Sequence, residues 1–245
     1  MCRHLAYVGH PVALDALLYA APHGLVHQAA HPRRQTSGTE NPDGYGIAWY
    51  EPGRPGPRRH RSTTPIWADD ELPRLTRDVR SAAVLGAARL ATPGLPIEVS
   101  GNAPFVADRF AFSLNGAVDG WSDGIGRQLR ARVSPGRAAA IEGVTDGETL
   151  FAAALDRRDA GASPLDTLAD VVAAVEARST GRLNLLLTDG VTVAASAYGN
   201  SLFAFEGDDG VIVASEAIDD DPRWVAVPDR AVLVADATGT TVTAL

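Results

Sequence analysis

The chain has 245 residues, of which 45% are hydrophobic and 21% charged, the balance of a globular protein able to bury a core of its own. A formal charge of −8 disfavours nucleic acid and anionic membrane as partners. No apolar run approaches the ~20 residues of a membrane span, and no basic-then-apolar leader opens the chain, so a cytoplasmic, soluble protein is expected. The single cysteine, Cys2, excludes an intrachain disulfide and a thiolate zinc cluster. All 22 basic residues are arginine, which excludes Schiff-base and pyridoxal chemistry, a lysine general base and the lysine-dependent phosphate loop.

Alternating apolar residues from Cys2 to Val8 predict a first strand, with Leu5 and Tyr7 on one face. Leu14, Leu17 and Leu18 recur at helical spacing, and a His/Pro-rich loop is expected from Pro22 to Pro42. Tyr45 to Tyr50 reads as a second strand, and the Pro/Gly/Arg-rich stretch Glu51 to Arg61 as an exposed loop. A short helix around Leu72, Leu75 and Val79 leads into a strand that ends near Arg89. Phe110, Phe112 and Leu114 alternate as a strand running into Asn115-Gly116, a pair that by itself reads as a turn. Gly147 to Arg158 predicts a helix, and Ser163-Pro164 caps and opens another with Leu165, Leu168, Val172 and Val175 on one stripe. In the last quarter, Leu183 to Leu187 and Val191 to Ala197 flank an Asp189-Gly190 hairpin turn. Leu202 to Phe205, Val211 to Ala214 and Ala231 to Ala235 continue that meander. No repeat or linker divides the chain, so residues 1–245 are expected to form one domain of antiparallel sheets packed with helices.

Cys2 is the first residue with chemistry to offer. A cysteine at position two is by itself commonly incidental, but removal of Met1 would leave thiol and free α-amine on one residue. Their ordinary pKa values, ~8.5 and ~7.7–8.0, both lie near working pH, so one residue could supply nucleophile and base. Further along stand Asn41-Pro42-Asp43-Gly44-Tyr45-Gly46, Arg89-Leu90-Ala91-Thr92, Gly101-Asn102-Ala103-Pro104-Phe105, Leu114-Asn115-Gly116 and Asp146-Gly147-Glu148. Behind Met1-Cys2-Arg3-His4-Leu5, this ordered series resembles the class II glutamine amidotransferase family across almost the whole chain.

The resemblance implies an α+β fold of the N-terminal-nucleophile hydrolase type, a four-layer αββα sandwich with two antiparallel sheets between helical layers. It implies that Cys2 is the nucleophile toward a γ-glutamyl amide and that Asn115 and Gly116 form the oxyanion hole. Arg89, supported by Thr92, would bind the substrate α-carboxylate, where a planar guanidinium suits a carboxylate better than a point charge. Asp146 would hold the α-ammonium. Without the resemblance, Arg89 reads as a surface arginine and Asp146 as a helix N-cap. No cofactor and no metal are implied.

Three positions depart from the amino-sugar and purine enzymes of that family. Leu90 stands where an aromatic residue is usual, Pro93 where a histidine is, and Leu114 where a histidine precedes the Asn-Gly pair. The chain also stops where a synthase domain would begin, so an acceptor site and ammonia tunnel are not expected. Within the family the sequence most resembles the stand-alone amidohydrolases of ergothioneine biosynthesis. The likeness rests on Ala91-Thr92-Pro93-Gly94-Leu95-Pro96, Ser113 to Gly120 and Asp219-Asp220-Asp221-Pro222-Arg223-Trp224. Such an enzyme removes the γ-glutamyl group of γ-glutamyl-hercynylcysteine S-oxide. The alternative is a glutaminase subunit feeding ammonia to a separate synthase chain, and self-association is left open. Other groups read as structural: Asn41 to Gly46 as a strand-entry turn, Asp219 to Pro222 as a solvated turn, and Arg58, Arg59 and Arg61 as a small basic loop. His23, His27 and His31 repeat every four residues, but Pro22 and Pro32 bracket them and argue against a metal site.

Overall fold

The computed structural model describes residues 2–245. Thirteen strands run β1 Arg3–Ala13, β2 Tyr45–Trp49, β3 Arg58–Ser62, β4 Arg80–Ala88, β5 Phe105–Ala107, β6 Phe110–Val118, β7 Gly181–Thr188, β8 Val193–Ala197, β9 Phe203–Gly207, β10 Gly210–Ala214, β11 Val225–Ala226, β12 Ala231–Asp236 and β13 Gly239–Ala244. The α-helices are α1 Leu25–Ala30, α2 Leu72–Asp78, α3 Gly126–Arg130, α4 Pro135–Ala139, α5 Asp146–Asp159 and α6 Pro164–Glu176.

Two antiparallel sheets result, a seven-stranded one in the order β11-β9-β10-β1-β4-β2-β3 and a six-stranded one in the order β13-β12-β8-β7-β6-β5. The two-residue period of β1 explains the layering. Leu5 and Tyr7 face outward with Leu25 of α1 and Leu72 of α2, whereas Ala6 and Val8 face the second sheet beside Leu186, Ala195 and Leu233. On the far side, Phe112, Leu114 and Leu185 pack under Leu150 and Phe151 of α5 and Leu168 and Val172 of α6. Helix, sheet, sheet, helix is thus the order of layers. Ser163 starts α6 as expected: its hydroxyl accepts the Asp166 N–H at 3.1 Å.

Several local expectations are corrected. The Pro22–Pro42 stretch contains α1, because Pro22 and Pro32 both lie outside Leu25–Ala30 and leave its N–H groups intact. Residues 58–62 form a sheet edge, not a loop, and their arginines protect that edge from further pairing. Asn115 and Gly116 lie inside β6, opposite Asn184 and Leu183, and form no turn. The Asp189-Gly190 connection is wider than a two-residue hairpin, with the Asp189 carboxylate accepting the N–H groups of Val191 and Thr192. The last quarter is not one meander, since β9 and β10 leave the second sheet and join β1 in the first.

Candidate active site

Register brings the candidate residues together. β1 pairs with β4 so that Arg3 lies opposite Ala88, and one further step puts Cys2 alongside Arg89. The turn before β2 braces the same point: Arg89 N donates to the Gly44 carbonyl at 2.8 Å, and Asp43 N donates to the Arg89 carbonyl at 3.0 Å. The Asp43 carboxylate then accepts Ala91 N at 2.7 Å. Gly44 has φ +105°, and a Cβ there would sit 2.3 Å from Asn102 Nδ2, so the approach requires glycine.

Cys2, Arg89, Thr92, Gly116 and Asp146 line one pocket, with Phe105, Leu114 and Gly147 as its apolar wall. The Cys2 thiol faces the Leu90 carbonyl at 3.9 Å. Arg89 is 8% exposed, and its guanidinium donates to Asn102 Oδ1 at 3.3 Å and to the Pro96 carbonyl at 3.1 Å. It is therefore a buried, oriented cation and not a surface arginine. Asp146 is equally buried and opens α5, but Thr145 is the cap, its hydroxyl accepting Glu148 N at 3.4 Å. The Asp146 carboxylate accepts Val118 N at 3.0 Å and Gly147 N at 2.9 Å. Burial pushes its carboxyl above the usual range, while these N–H groups and the charge of Arg89 oppose the shift.

Asn115 stands apart. Gly116 lines the pocket, whereas Asn115 is fully buried, its Nδ2 donating to Ser215 Oγ at 3.2 Å and its Oδ1 unpartnered among the described residues. Of the departures, Leu90 and Leu114 line the pocket. The Asp219–Trp224 segment closes on itself, with Asp219 Oδ1 accepting Asp221 N and Trp224 Nε1. The rings of His23, His27 and His31 follow one another at 5.2 and 5.4 Å between centroids, tilted by 57° and 56° and not stacked. Among the described residues, no group of three or more His, Cys, Asp or Glu side chains is arranged to hold a metal. No helix of those residues is long and apolar enough to cross a membrane.

The sequence profile of the class-II glutamine amidotransferases matches residues 25–206. The chain belongs to this family. It is 38% identical to a gamma-glutamyl-hercynylcysteine sulfoxide hydrolase of Mycobacterium tuberculosis over 100% of this chain and 97% of that one. It is 37% identical to the enzyme of the same name from Mycolicibacterium smegmatis, over 94% and 93% of the two chains. A glutamine aminotransferase class-II domain protein from Silicibacter pomeroyi superposes with a TM-score of 0.75 at 25% identity, covering 100% and 99%. The allosteric regulatory enzyme of purine biosynthesis shares the fold at a TM-score of 0.70 and 19% identity, over 99% of this chain and 49% of that one. The sandwich is that of the N-terminal-nucleophile class II amidotransferases.

Two kinds of residue in this family member were not singled out from sequence. Asn102 stands behind Arg89 and donates to the Ser62 carbonyl at 2.8 Å; its place in the Gly101-Asn102 motif was the available signal. Arg3 and Glu216 form a buried ion pair at 2.6 Å next to Cys2, and nothing in their separation of 213 residues could announce it.

Proposed function

We propose that this chain is a γ-glutamyl amidohydrolase acting on γ-glutamyl-hercynylcysteine S-oxide, releasing glutamate and hercynylcysteine S-oxide. The observation that carries the reading is the pairing of a buried cation, Arg89, with a buried carboxylate, Asp146, in the pocket that also holds the Cys2 thiol. That pair complements the α-carboxylate and α-ammonium of a glutamyl group, which lie at the far end from the amide. The full-length match to hydrolases of that name supports the leaving group.

In the proposed reaction the Cys2 sulfur attacks the γ-carbonyl and the α-amine of a processed Cys2 takes the thiol proton. Met1 itself lies outside the described residues. The developing oxyanion is met by the N–H of Gly116, which lines the pocket; Asn115, buried outside that lining with its Nδ2 on Ser215 Oγ, would have to turn toward the oxyanion to add a second donor. Collapse breaks the C–N bond, the amine leaves with the proton, and a glutamyl thioester remains on Cys2. Water then hydrolyses the thioester to glutamate and restores the thiol. Thr92, exposed at the rim, supports the bound α-carboxylate.

Side-by-side turnover of glutamine and of the γ-glutamyl sulfoxide substrate tests the reading. The sulfoxide substrate should be cleaved with the higher kcat/KM. Preferred cleavage of glutamine, rising further with a synthase chain present, would instead identify an ammonia-supplying subunit.

A further inference from the structure

The residue after the nucleophile is a buried charge. Arg3 is fully enclosed at 0% exposure and Glu216 at 1%, on the face of the first sheet where Leu5 and Tyr7 enter an apolar layer. Removing two ions from water is costly, and a pair of apolar side chains of similar volume would fill the space without that penalty. Burial pulls the Arg3 guanidinium down from the usual arginine range, an effect that Glu216 opposes. Its Nη2 is buried without a hydrogen-bond partner among the described residues. The site is therefore not arranged for stability alone.

Its contacts indicate what it gains. Paired residues of β1 and β10 end at Leu5 and Ala214, and one further backbone bond, from Ser215 N to the His4 carbonyl at 2.9 Å, ties the chain before Leu5 to that side of the sheet. Side chains add to this tie: His4 N donates to Ser215 Oγ at 3.0 Å, and Arg3 Nε donates to the Cys2 carbonyl at 2.7 Å. The Glu216 carboxylate accepts Arg3 Nη1 at 2.6 Å, Arg33 N at 2.8 Å and Arg34 N at 2.9 Å. Gln28 Nε2 fixes the Glu216 carbonyl at 3.1 Å. One carboxylate thus joins the end of β1, the segment after β10 and the chain that leads to the Asp43 turn beneath Arg89.

We propose that the Arg3–Glu216 pair is the positioning element of the nucleophile: the planar guanidinium clamps the Cys2 carbonyl, and so fixes the direction of its sulfur and α-amine toward the γ-carbonyl. The inference rests on Cys2 being the nucleophile. Neither Arg3 nor Glu216 lines the pocket, so the pair acts on the reacting atoms through Cys2 and leaves the glutamyl-binding groups alone. An error of about 1 Å in such a group costs on the order of 100-fold in rate.

The test uses full-length protein, with Cys2→Ala as reference. The double variant Arg3→Met/Glu216→Met removes both charges together but also takes the acceptor from the Arg33 and Arg34 N–H groups, so it should melt below the parent and its activity is read on the folded protein. Its kcat should fall at least tenfold while KM for the γ-glutamyl substrate stays within about twofold, because Arg89 and Asp146 are untouched. Arg3→Lys keeps a charge for Glu216 but lacks the rigid fork, and should show the same split; it serves as the deciding variant if the double one does not fold. A folded variant with the parent kcat, or one that loses only KM, overturns the positioning role. Activity retained by Cys2→Ala would instead overturn the nucleophile assignment on which the inference rests.

Discussion

Replacing Arg89 by alanine probes the substrate class without regard to the leaving group. In the structure its guanidinium spends two N–H bonds on Asn102 Oδ1 and the Pro96 carbonyl, leaving three of its five donors for a ligand. Two charge-assisted bonds to an α-carboxylate, at ~1.5–3 kcal/mol each, come to about 3–6 kcal/mol. Part of that is offset by desolvating the guanidinium, so a loss of roughly 2.7–4 kcal/mol is expected, or about 10²–10³ in kcat/KM. Because Arg89 also holds the Asp146 carboxyl down, its removal lets that group rise further and weakens the ammonium contact as well. The remote end of the substrate orients the amide against Cys2, so kcat should fall along with affinity. On the protein side the buried Asn102 Oδ1 loses its donor, at roughly 1–3 kcal/mol, whereas the carbonyl of exposed Pro96 can turn to water, so the variant should melt lower but remain folded. Steady-state hydrolysis of a γ-glutamyl substrate, run beside a melting curve, makes the measurement. A folded Arg89→Ala protein within threefold of the parent kcat/KM would refute the reasoning.

Asp146 must be ionised to hold an ammonium, and burial raises its carboxyl, so KM should fall as pH rises through that elevated value. The same raised value means that Asp146 adds stability at low pH which is lost as pH rises through it; in Asp146→Asn, KM should be high and free of this pH dependence. A Cβ on Gly116 would lie 1.8 Å from the Arg182 carbonyl oxygen, a backbone clash between β6 and β7. Gly116→Ala should therefore lose at least the ~1–3 kcal/mol of ordinary overpacking, read from the urea midpoint. Ser163→Ala removes the cap of α6 and should cost ~0.5–2 kcal/mol of stability with kcat/KM unchanged, since α6 contributes nothing to the pocket.

Where the chain obeys simple periodicity, the fold is legible. Ser163-Pro164 and the Leu165/Leu168/Val172/Val175 stripe announce α6, and Phe110/Phe112/Leu114 announce β6. Periodicity fails where tertiary contact overrides local composition. Residues 58–62 carry three arginines and no apolar alternation, yet become a strand because Tyr45–Trp49 offers them a free edge. Likewise no local signal tells the β9–β10 hairpin to leave the sheet of β7, β8 and β12 and add to β1 through β10, a choice made by which apolar faces remain uncovered. The site divides in the same way. Cys2, Arg89 and Asp146 stand in short motifs whose order along the chain carries the resemblance. The groups that hold them, Asn102 behind Arg89 and Glu216 behind Arg3, are partners only in three dimensions.

In the proposed reaction Cys2, in a pocket shaped by Arg89 and Asp146, forms a thioester with a γ-glutamyl group. Acid quench of the enzyme during turnover, followed by intact-mass and peptide mapping, measures it directly. The expected result is an adduct of one glutamyl group on the peptide that begins with Cys2, with Met1 absent from the active protein and no adduct in Cys2→Ala. Turnover by Cys2→Ala, or an adduct carried on any other residue, would contradict it.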